Sequence, residues 1–495
     1  MKFLEILSKI NYRSLRGSSN PDILGLSEDS RTVRKGDLFF ARKGSKSQGY
    51  SFVHEAIEKG ASAIVTDQDI ESGLVPVVYV ESVLEAEAQI SNVFYNFPSR
   101  SLLLVGVTGT NGKTTFTYLL ESIAQKMGWK VGVIGTVNYR FPVPNTHELE
   151  ILSAPNTTPN ALEINRILNL FIERNVDLAI MEVSSHALAL GRVSGIEFDG
   201  AIFTNLTQDH LDFHLNMESY FLSKLKLFKG MTDIPKKNKL KKFSVVNLDD
   251  SYGQRIIDSA KTSVITYGEK ISSGLRLLNF SLSSTGTQID LSWMNQSISL
   301  PIKLVGKHNV YNALAVIATA FALGIPDDKI WDGLKEIKII PGRLESIDCG
   351  QTFSVFVDYA HTEDALRNVL NALKPLTKNR LITVFGCGGD RDRSKRPLMG
   401  QTAVELSDWV IITSDNPRSE DAKKIALDIE VGIHRVGNQS YEVILDRAEA
   451  IQKALKMAKK NDTVLIAGKG HETYQIYANE TIHFDDREVI RNYLK

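Results

Sequence analysis

One strand-to-helix junction near residue 110 constrains this chain more than any other feature. The apolar run Leu102-Leu103-Leu104-Val105 leads into Val107-Thr108-Gly109-Thr110-Asn111-Gly112-Lys113-Thr114-Thr115, and a helix-like segment, Phe116 to Met127, follows. Glycines let a backbone approach phosphates closely, and amide N–H groups at a helix start donate to them. Lys113 adds a positive charge, and the Thr114 hydroxyl can ligate Mg²⁺. The junction predicts an ATP site built from Gly109, Thr110, Asn111, Gly112, Lys113, Thr114 and Thr115. The common phosphate loop would have glycine where this chain has Val107, so the loop is a variant.

At 495 residues the chain predicts about three domains, each large enough for its own core. The boundaries expected are 1–100, 101–340 and 341–495. In the first, an apolar strand (Leu38-Phe39-Phe40-Ala41), a polar loop (Lys43 to Tyr50), a helix-like stretch (Phe52 to Lys59) and a second strand (Ala63-Ile64-Val65) make a small α/β unit. In the second, Val131–Ile134, Leu178–Met181 and Gly200–Phe203 resemble buried parallel strands separated by helices. Lys236 to Lys242 reads as a solvated loop. After a linker at Pro341-Gly342-Arg343, Phe353–Val357, Leu381–Phe385, Trp409–Ile412 and Val464–Ile466 alternate with helices. The fold class expected is therefore α/β: a small N-terminal domain, a central P-loop ATPase-like parallel sheet and a C-terminal Rossmann-like domain.

Lys+Arg and Asp+Glu balance at 58 each, giving a formal net charge of zero. That predicts no general attraction to nucleic acid or anionic membrane, so anionic substrates must be bound by local clusters. Two cysteines, Cys349 and Cys387, are too few for a disulfide framework and suit a reducing cytoplasm. No apolar run approaches a membrane span, and the N-terminus does not read as a secretory signal. A cytoplasmic monomer is the expectation.

Several separated segments together resemble one family, the ATP-dependent Mur ligases of peptidoglycan precursor synthesis. They are Asp29-Ser30-Arg31 with Gly36–Phe39, the phosphate loop, Asn156-Thr157-Thr158-Pro159, Glu182-Val183-Ser184-Ser185-His186 and Asp209-His210-Leu211-Asp212-Phe213-His214. Tyr220-Phe221 with Lys224, Asn309 with Asn312, Pro341-Gly342-Arg343, Asp358-Tyr359-Ala360-His361, Gly386 to Pro397 and Asp415-Asn416-Pro417-Arg418 continue the series in family order. One phosphate loop leaves many alternatives; this ordered set leaves few.

The resemblance implies transfer of the ATP γ-phosphate to a carboxylate, then displacement of phosphate by an amine. The implied catalytic groups are Lys113, Glu182, His210 and Lys224, and Mg²⁺ would be held by Thr114, Glu182, His210 and Lys224. Lys224 matches a lysine that family members carbamylate with CO₂, turning a repelling ammonium into an anionic oxygen donor. Asn309, Arg343, Asp358 and His361 would join the loop at ATP. Ser30 and the Lys46 to Tyr50 loop would hold the uridine diphosphate end of a nucleotide-sugar dipeptide, UDP-N-acetylmuramoyl-L-alanyl-D-glutamate. Thr157, Thr158, Ser184, Leu190 and Arg192 would hold the rest of it. Leu190 departs from the family's usual glutamine, His308 from an aromatic residue and Glu363 from a proline.

The resemblance places the choice of acceptor at Asp415, Asn416, Pro417 and Arg418, with Arg391, Gly468 and Glu472 the remaining implied contacts. Members with this tetrapeptide add meso-diaminopimelate, whose far end bears an ammonium and a carboxylate. Arg418 can pair bidentately with that carboxylate, whereas lysine would leave it facing a cation. The alternatives carried are a lysine-adding ligase on the same donor, the more distant folylpolyglutamate synthases, and a nucleotide-binding scaffold without turnover. Three substrates on three domains also predict an open free form and a closed ternary form, hinged near Pro341 to Arg343.

Overall fold

Alternation of side chains about a strand explains the first layer of the molecule. In the computed structural model, which describes all residues except 43–48, 71–72, 74, 145, 147, 233–239, 284–285, 338 and 438–439, Asp37–Ala41 is a strand buried along its whole length. Leu38 and Phe40 pack with Val83, Ala86 and Ile90 of the helix Val83–Phe94. Phe39 and Ala41 pack on the opposite side with Val53 and Ala56 of the helix Val53–Glu58. With a helix on each face there is no polar side to the strand, so the sequence reads as an unbroken apolar run. Its sheet has five strands, in the spatial order Ser14–Arg16, Val77–Tyr79, Ala63–Thr66, Asp37–Ala41, Gly25–Ser27. All pairs are parallel except the first.

The chain divides into two compact units, one of residues 1–106, 129–201 and 226–242, the other of 107–128, 202–225 and 243–495. Besides the five-stranded sheet, the first unit contains Leu178–Glu182, parallel to Val131–Ile134. It then turns antiparallel through Tyr139–Pro142 and Leu149–Leu152. Its helix Ala161–Glu173 begins where the Asn160 side chain accepts from the Glu163 amide at 2.8 Å.

In the second unit the phosphate-loop helix, Lys113–Lys126, lies against Asp327–Glu336 so closely that a Cβ on Gly333 would meet the Ile123 backbone. Phe243–Asn247 and Ser263–Gly268 are parallel, and Leu275–Ser283, Gly286–Trp293 and Gln296–Ile302 form an antiparallel meander. The central region is therefore mixed rather than parallel throughout. The C-terminal sheet runs Glu345–Ser346, Ser354–Asp358, Thr463–Ala467, Leu381–Phe385, Trp409–Ile412, Tyr441–Val443, parallel apart from its two-residue edge. Helices cover both faces.

Lys242, read from sequence as part of a solvated loop, is buried, with Glu197 at 4.0 Å; residues 236–239 lie outside the described residues. Pro341-Gly342-Arg343 is tied down rather than free. Gly342 has φ +65°, its amide donates to Glu345 at 3.0 Å, and Ile340 bridges to Arg343. Cys349 is exposed and Cys387 buried, with both thiols unpaired. Among the described residues no helix is long and apolar enough to cross a membrane.

Candidate active site

The phosphate loop is shaped by two glycines that no other residue could replace without strain. Gly109 and Gly112 have φ of +152° and +88°, and Cβ atoms there would collide with Thr204 Oγ1 and Asn312 Oδ1. Neighbouring polar groups fix the rest of the loop. The Thr110 amide donates to Asn205 O at 2.8 Å, the Asn111 amide to Asn205 Oδ1 at 2.9 Å, and Thr204 Oγ1 to Asn111 O at 2.6 Å. Thr110 Oγ1 lies 3.1 Å from the Tyr220 hydroxyl. Thr114 and Thr115 are buried at the helix start.

Two amines meet one carbonyl here. Lys113 Nζ donates to Gly109 O and Thr110 O, each at 2.8 Å, and Lys224 Nζ donates to the same Gly109 O at 2.8 Å. Lys224 is 1% exposed. Burial, with the Lys113 charge beside it, holds its amine well below the usual lysine range. His210 takes a left-handed backbone, φ +56°, at the start of Leu211–His214. Its Nε2 lies 3.3 Å from Asp209, which His361 Nε2 also approaches at 3.9 Å. Burial would raise Asp209, but His210, Lys395 and His361 around it and the His210 amide hold it at about 2.

Arg343 Nη2 donates to Thr114 Oγ1 at 3.2 Å while its guanidinium covers the Tyr359 ring at 4.7 Å. Asp358 accepts from the Leu344 and Ala360 amides at 2.6 and 2.7 Å, so it secures the residue after Arg343 and the residue before His361. Its carboxyl is pushed up by burial, opposed by Arg343. Asn309 donates to Val305 O at 2.8 Å and accepts from Asn312 at 3.2 Å. Asp364, absent from the sequence reading, accepts from Asn111 Nδ2 at 2.8 Å. Burial pushes His308 down to about 4, so a neutral imidazole stands at this departure from the family pattern.

The C-terminal sheet gathers four segments at the carboxyl ends of adjacent parallel strands, the place where open α/β sheets bind ligands. Ser354–Asp358 ends at Tyr359 and His361, Thr463–Ala467 at Gly468 and Glu472, Leu381–Phe385 at Arg391, and Trp409–Ile412 at Asp415 through Arg418. Asn416 Nδ2 donates to Glu472 Oε2 at 2.9 Å. Asp415 accepts from the Asn416 amide at 2.7 Å, and Pro417 is buried. Arg418 has φ +53°, and its guanidinium donates to Gly389 O at 2.8 Å. Arg391 is exposed. Burial and Asp415 push Glu472 up, against Lys469 and Asn416. Lys469, part of this cluster, was missed from the sequence, and Tyr359 was read there only as a member of the Asp358–His361 segment, with no role of its own; only the glycines flanking Lys469 hinted at an inward turn.

The first unit forms its own polar group. Glu182 accepts from the Thr136 hydroxyl at 2.8 Å and amide at 3.0 Å, and Thr136 Oγ1 lies 3.0 Å from Thr157 Oγ1. Thr158 Oγ1 donates to Glu182 O at 2.8 Å, and Arg192 Nη1 to Thr158 O at 2.9 Å. Ser184 caps the short helix Ser185–Ala189, and Leu190 ends it. Thr136, the hub joining Glu182 to Thr157, carried no motif that the sequence reading used. Ser30 is buried and donates to Glu55 at 2.8 Å. Lys46 to Gln48 of its expected partner loop lie outside the described residues.

Among the described residues no three His, Cys, Asp or Glu side chains gather as a metal site. The groups present do suit Mg²⁺ that arrives with a nucleotide, because this ion is commonly held by substrate phosphates and one or two protein oxygens. Thr114 Oγ1, at the helix start beside Lys113, is such an oxygen.

Three family descriptions match in order: "Mur ligase family, catalytic domain" over residues 22–95, "Mur ligase middle domain" over 107–320 and "Mur ligase, glutamate ligase domain" over 342–470. The UDP-N-acetylmuramoyl-L-alanyl-D-glutamate--2,6-diaminopimelate ligase 1 of Clostridium acetobutylicum is 43% identical, covering 100% of this chain and 99% of the relative. The ligase of the same name, without the number, from Caldanaerobacter subterraneus is 44% identical with the same coverage. A solved structure of a 2,6-diaminopimelate ligase superposes with TM-score 0.66 at 32% identity, covering 100% of this chain and 98% of that one. Folylpolyglutamate synthase from Mycobacterium tuberculosis, at 18% identity and TM-score 0.62 over 78% of this chain and 92% of its own, shares the fold alone.

Proposed function

The chain belongs to the Mur ligase family, and from that premise we propose that it joins meso-2,6-diaminopimelate to the D-glutamate carboxylate of UDP-N-acetylmuramoyl-L-alanyl-D-glutamate, converting ATP to ADP and phosphate. The observation that carries the acceptor half is the Asp415-Asn416-Pro417-Arg418 segment, hydrogen-bonded to Glu472 on the neighbouring strand end. It offers carboxylates for an ammonium and a guanidinium for a carboxylate, the two charges of the diaminopimelate terminus. The reading implies a cytoplasmic monomer divided at about residues 100 and 340.

A donor carboxylate oxygen attacks the γ-phosphorus and ADP leaves. The acceptor amine, in its neutral form, attacks the acyl carbon, phosphate leaves with the electron pair of the broken C–O bond, and the proton shed by the nitrogen ends on the departing phosphate. A bare carboxylate resists that attack because it is anionic and has no good leaving group. Lys113 and the amides at the helix start neutralise phosphate charge during transfer. Arg343, stacked on Tyr359, brings a second cation to the Thr114 side of the loop. Thr114, His210 and carbamylated Lys224 of this unit are the groups that would hold Mg²⁺; Glu182 carries the same proposal from the family resemblance alone. When bound, Mg²⁺ neutralises phosphate oxygens. A buried amine whose ammonium form is disfavoured by burial and by Lys113 supports the carbamate reading, since modification would set an anionic oxygen donor beside Lys113 in its place. Ser30, Thr157, Thr158, Ser184 and Arg192 take the donor.

The test is one reaction containing the uridine-linked dipeptide, ATP and equal diaminopimelate and lysine, with product mass and phosphate release measured. Diaminopimelate product with matching phosphate is expected. Predominant lysine product would overturn the acceptor assignment, and nucleotide binding without phosphate release would favour a scaffold.

A further inference from the structure

The turn leaving the Thr463–Ala467 strand has glycine on both sides of one lysine for a geometric reason. Gly468 and Gly470 have φ of +114° and +55°. A Cβ on Gly468 would lie 2.8 Å from Asp415 Oδ2, and one on Gly470 2.7 Å from Tyr359 Cβ. The residue between them is driven back into the protein, and Lys469 is 0% exposed. Its Nζ lies 3.0 Å from Glu472 Oε2 and 3.2 Å from Asn416 Oδ1. Asn416 Nδ2 donates to the same Glu472 oxygen at 2.9 Å, and the Ile476 amide donates to Asn416 Oδ1 at 3.0 Å. Glu472 Oε1 faces the Tyr359 hydroxyl at a long 3.4 Å.

A whole lysine taken out of water requires an anion, and two close carboxylates resist joint ionisation unless a cation lies between them. We propose that Lys469 is a positioning residue for the acceptor amino acid, keeping Glu472 ionised and, with Asn416, engaging one of its oxygens so that the other receives the acceptor's distal ammonium. The inference rests on the acceptor reading above and adds the residue that sets the charge of that contact. The groups facing Glu472 are Asp415, Tyr359 and Tyr474 together with the cations Lys469 and, farther off, Arg447. Burial and Asp415 push Glu472 up, and Lys469 and Asn416 oppose them. Loss of Lys469 therefore leaves Glu472 protonated to higher pH.

The test measures KM for each substrate and the pH profile of kcat/KM for diaminopimelate in wild type, Lys469→Met, Lys469→Arg, Glu472→Gln and the Lys469→Met/Glu472→Gln double variant. Lys469→Met is expected to raise the acceptor KM ~10-fold at neutral pH and move the acid limb up by about one pH unit. KM for ATP and donor should stay within about twofold, Lys469→Arg should keep most of the wild-type behaviour, and the double variant should match Glu472→Gln. An unchanged acceptor KM and limb in folded Lys469→Met, or an equal rise in all three KM values, overturns the inference. If Lys469→Met is recovered unfolded, the double variant decides, since a loss beyond that of Glu472→Gln overturns it too. Wild type that turns over lysine but no diaminopimelate would instead bring down the functional reading itself.

Discussion

The phosphate loop and the proposed acceptor cluster lie in the same unit and are built for charged ligands by opposite means. The loop uses backbone: two glycines with positive φ, helix-start amides and a lysine resting on loop carbonyls. The acceptor cluster uses side chains from four strand ends, Asp415, Asn416, Arg418, Lys469 and Glu472 among them, several buried and mutually hydrogen-bonded. A backbone cradle recognises any polyphosphate, and the groups that hold it in shape, Thr204, Asn205 and Tyr220, are uncharged. A side-chain cluster can tell one amino acid from another, but its buried charges must be held by further buried charges. Substitutions should therefore act on stability in the cluster and on rate in the loop.

Arg447 gives the sharpest way to break that contrast. Its guanidinium is 0% exposed, pairs with both Asp486 oxygens at 2.7 Å and donates to Ala467 O at 3.0 Å and Ser414 O at 3.4 Å. Those carbonyls immediately precede Gly468 and Asp415, so one buried cation secures two acceptor segments. Arg447→Met strands Asp486 and should cost about 3–5 kcal/mol in denaturant unfolding, with ATP affinity of the folded fraction unchanged. A loss below about 1 kcal/mol would mean that the cluster does not depend on its buried counter-charges.

Lys224→Ala is the counterpart in the loop. It removes a buried amine that shares a carbonyl with Lys113, so stability should hold while the rate falls ~10²–10³-fold, the scale of losing one electrostatic partner of a transition state. Acetate or another small carboxylate should restore part of the rate by supplying the oxygens of the carbamate. Failure of rescue in a folded variant would count against the modification.

The same contrast decides what was legible in the sequence. The loop is contiguous, so Gly109 to Thr115 announced themselves, as did residues 38–41, whose two buried faces leave an unbroken apolar run. Tetrapeptide 415–418 by itself reads as a turn, and only the family resemblance gave it an acceptor role. Lys469 was not legible, because its meaning depends on Gly468 and Gly470 turning it inward and on Asn416, distant in sequence. Thr136 gains its role only where Glu182 and Thr157 converge on it. The meander at 275–302 went unread although Ile289 and Leu291 alternate with more exposed residues, the period-two signal of a strand with one packed face. A parallel central sheet was expected from its apolar runs, which do not reveal strand direction.

The smallest expected effect sharpens the comparison most, because it makes one chemical change in both regions. Gly112 and Gly470 each take a left-handed backbone, φ +88° and +55°, and each is confined where a Cβ would sit, by Asn312 Oδ1 and by Tyr359. Replacement with alanine adds about 1–2 kcal/mol of conformational strain at either position, so the two single variants should be comparably destabilised. Their kinetics should separate. Gly112→Ala moves Asn312 and the helix start, so KM for ATP should rise with the acceptor KM unchanged. Gly470→Ala pushes on Tyr359, which faces Glu472, so the acceptor KM should rise instead. Tyr359 also lies beneath the Arg343 guanidinium, and through that stack a displaced ring could reach Thr114 and the nucleotide. Steady-state kinetics with each substrate varied in turn resolves this. If Gly470→Ala raised both KM values together, Tyr359 would be a shared wall of the two sites, and the division between a backbone-built and a side-chain-built region would end at that ring.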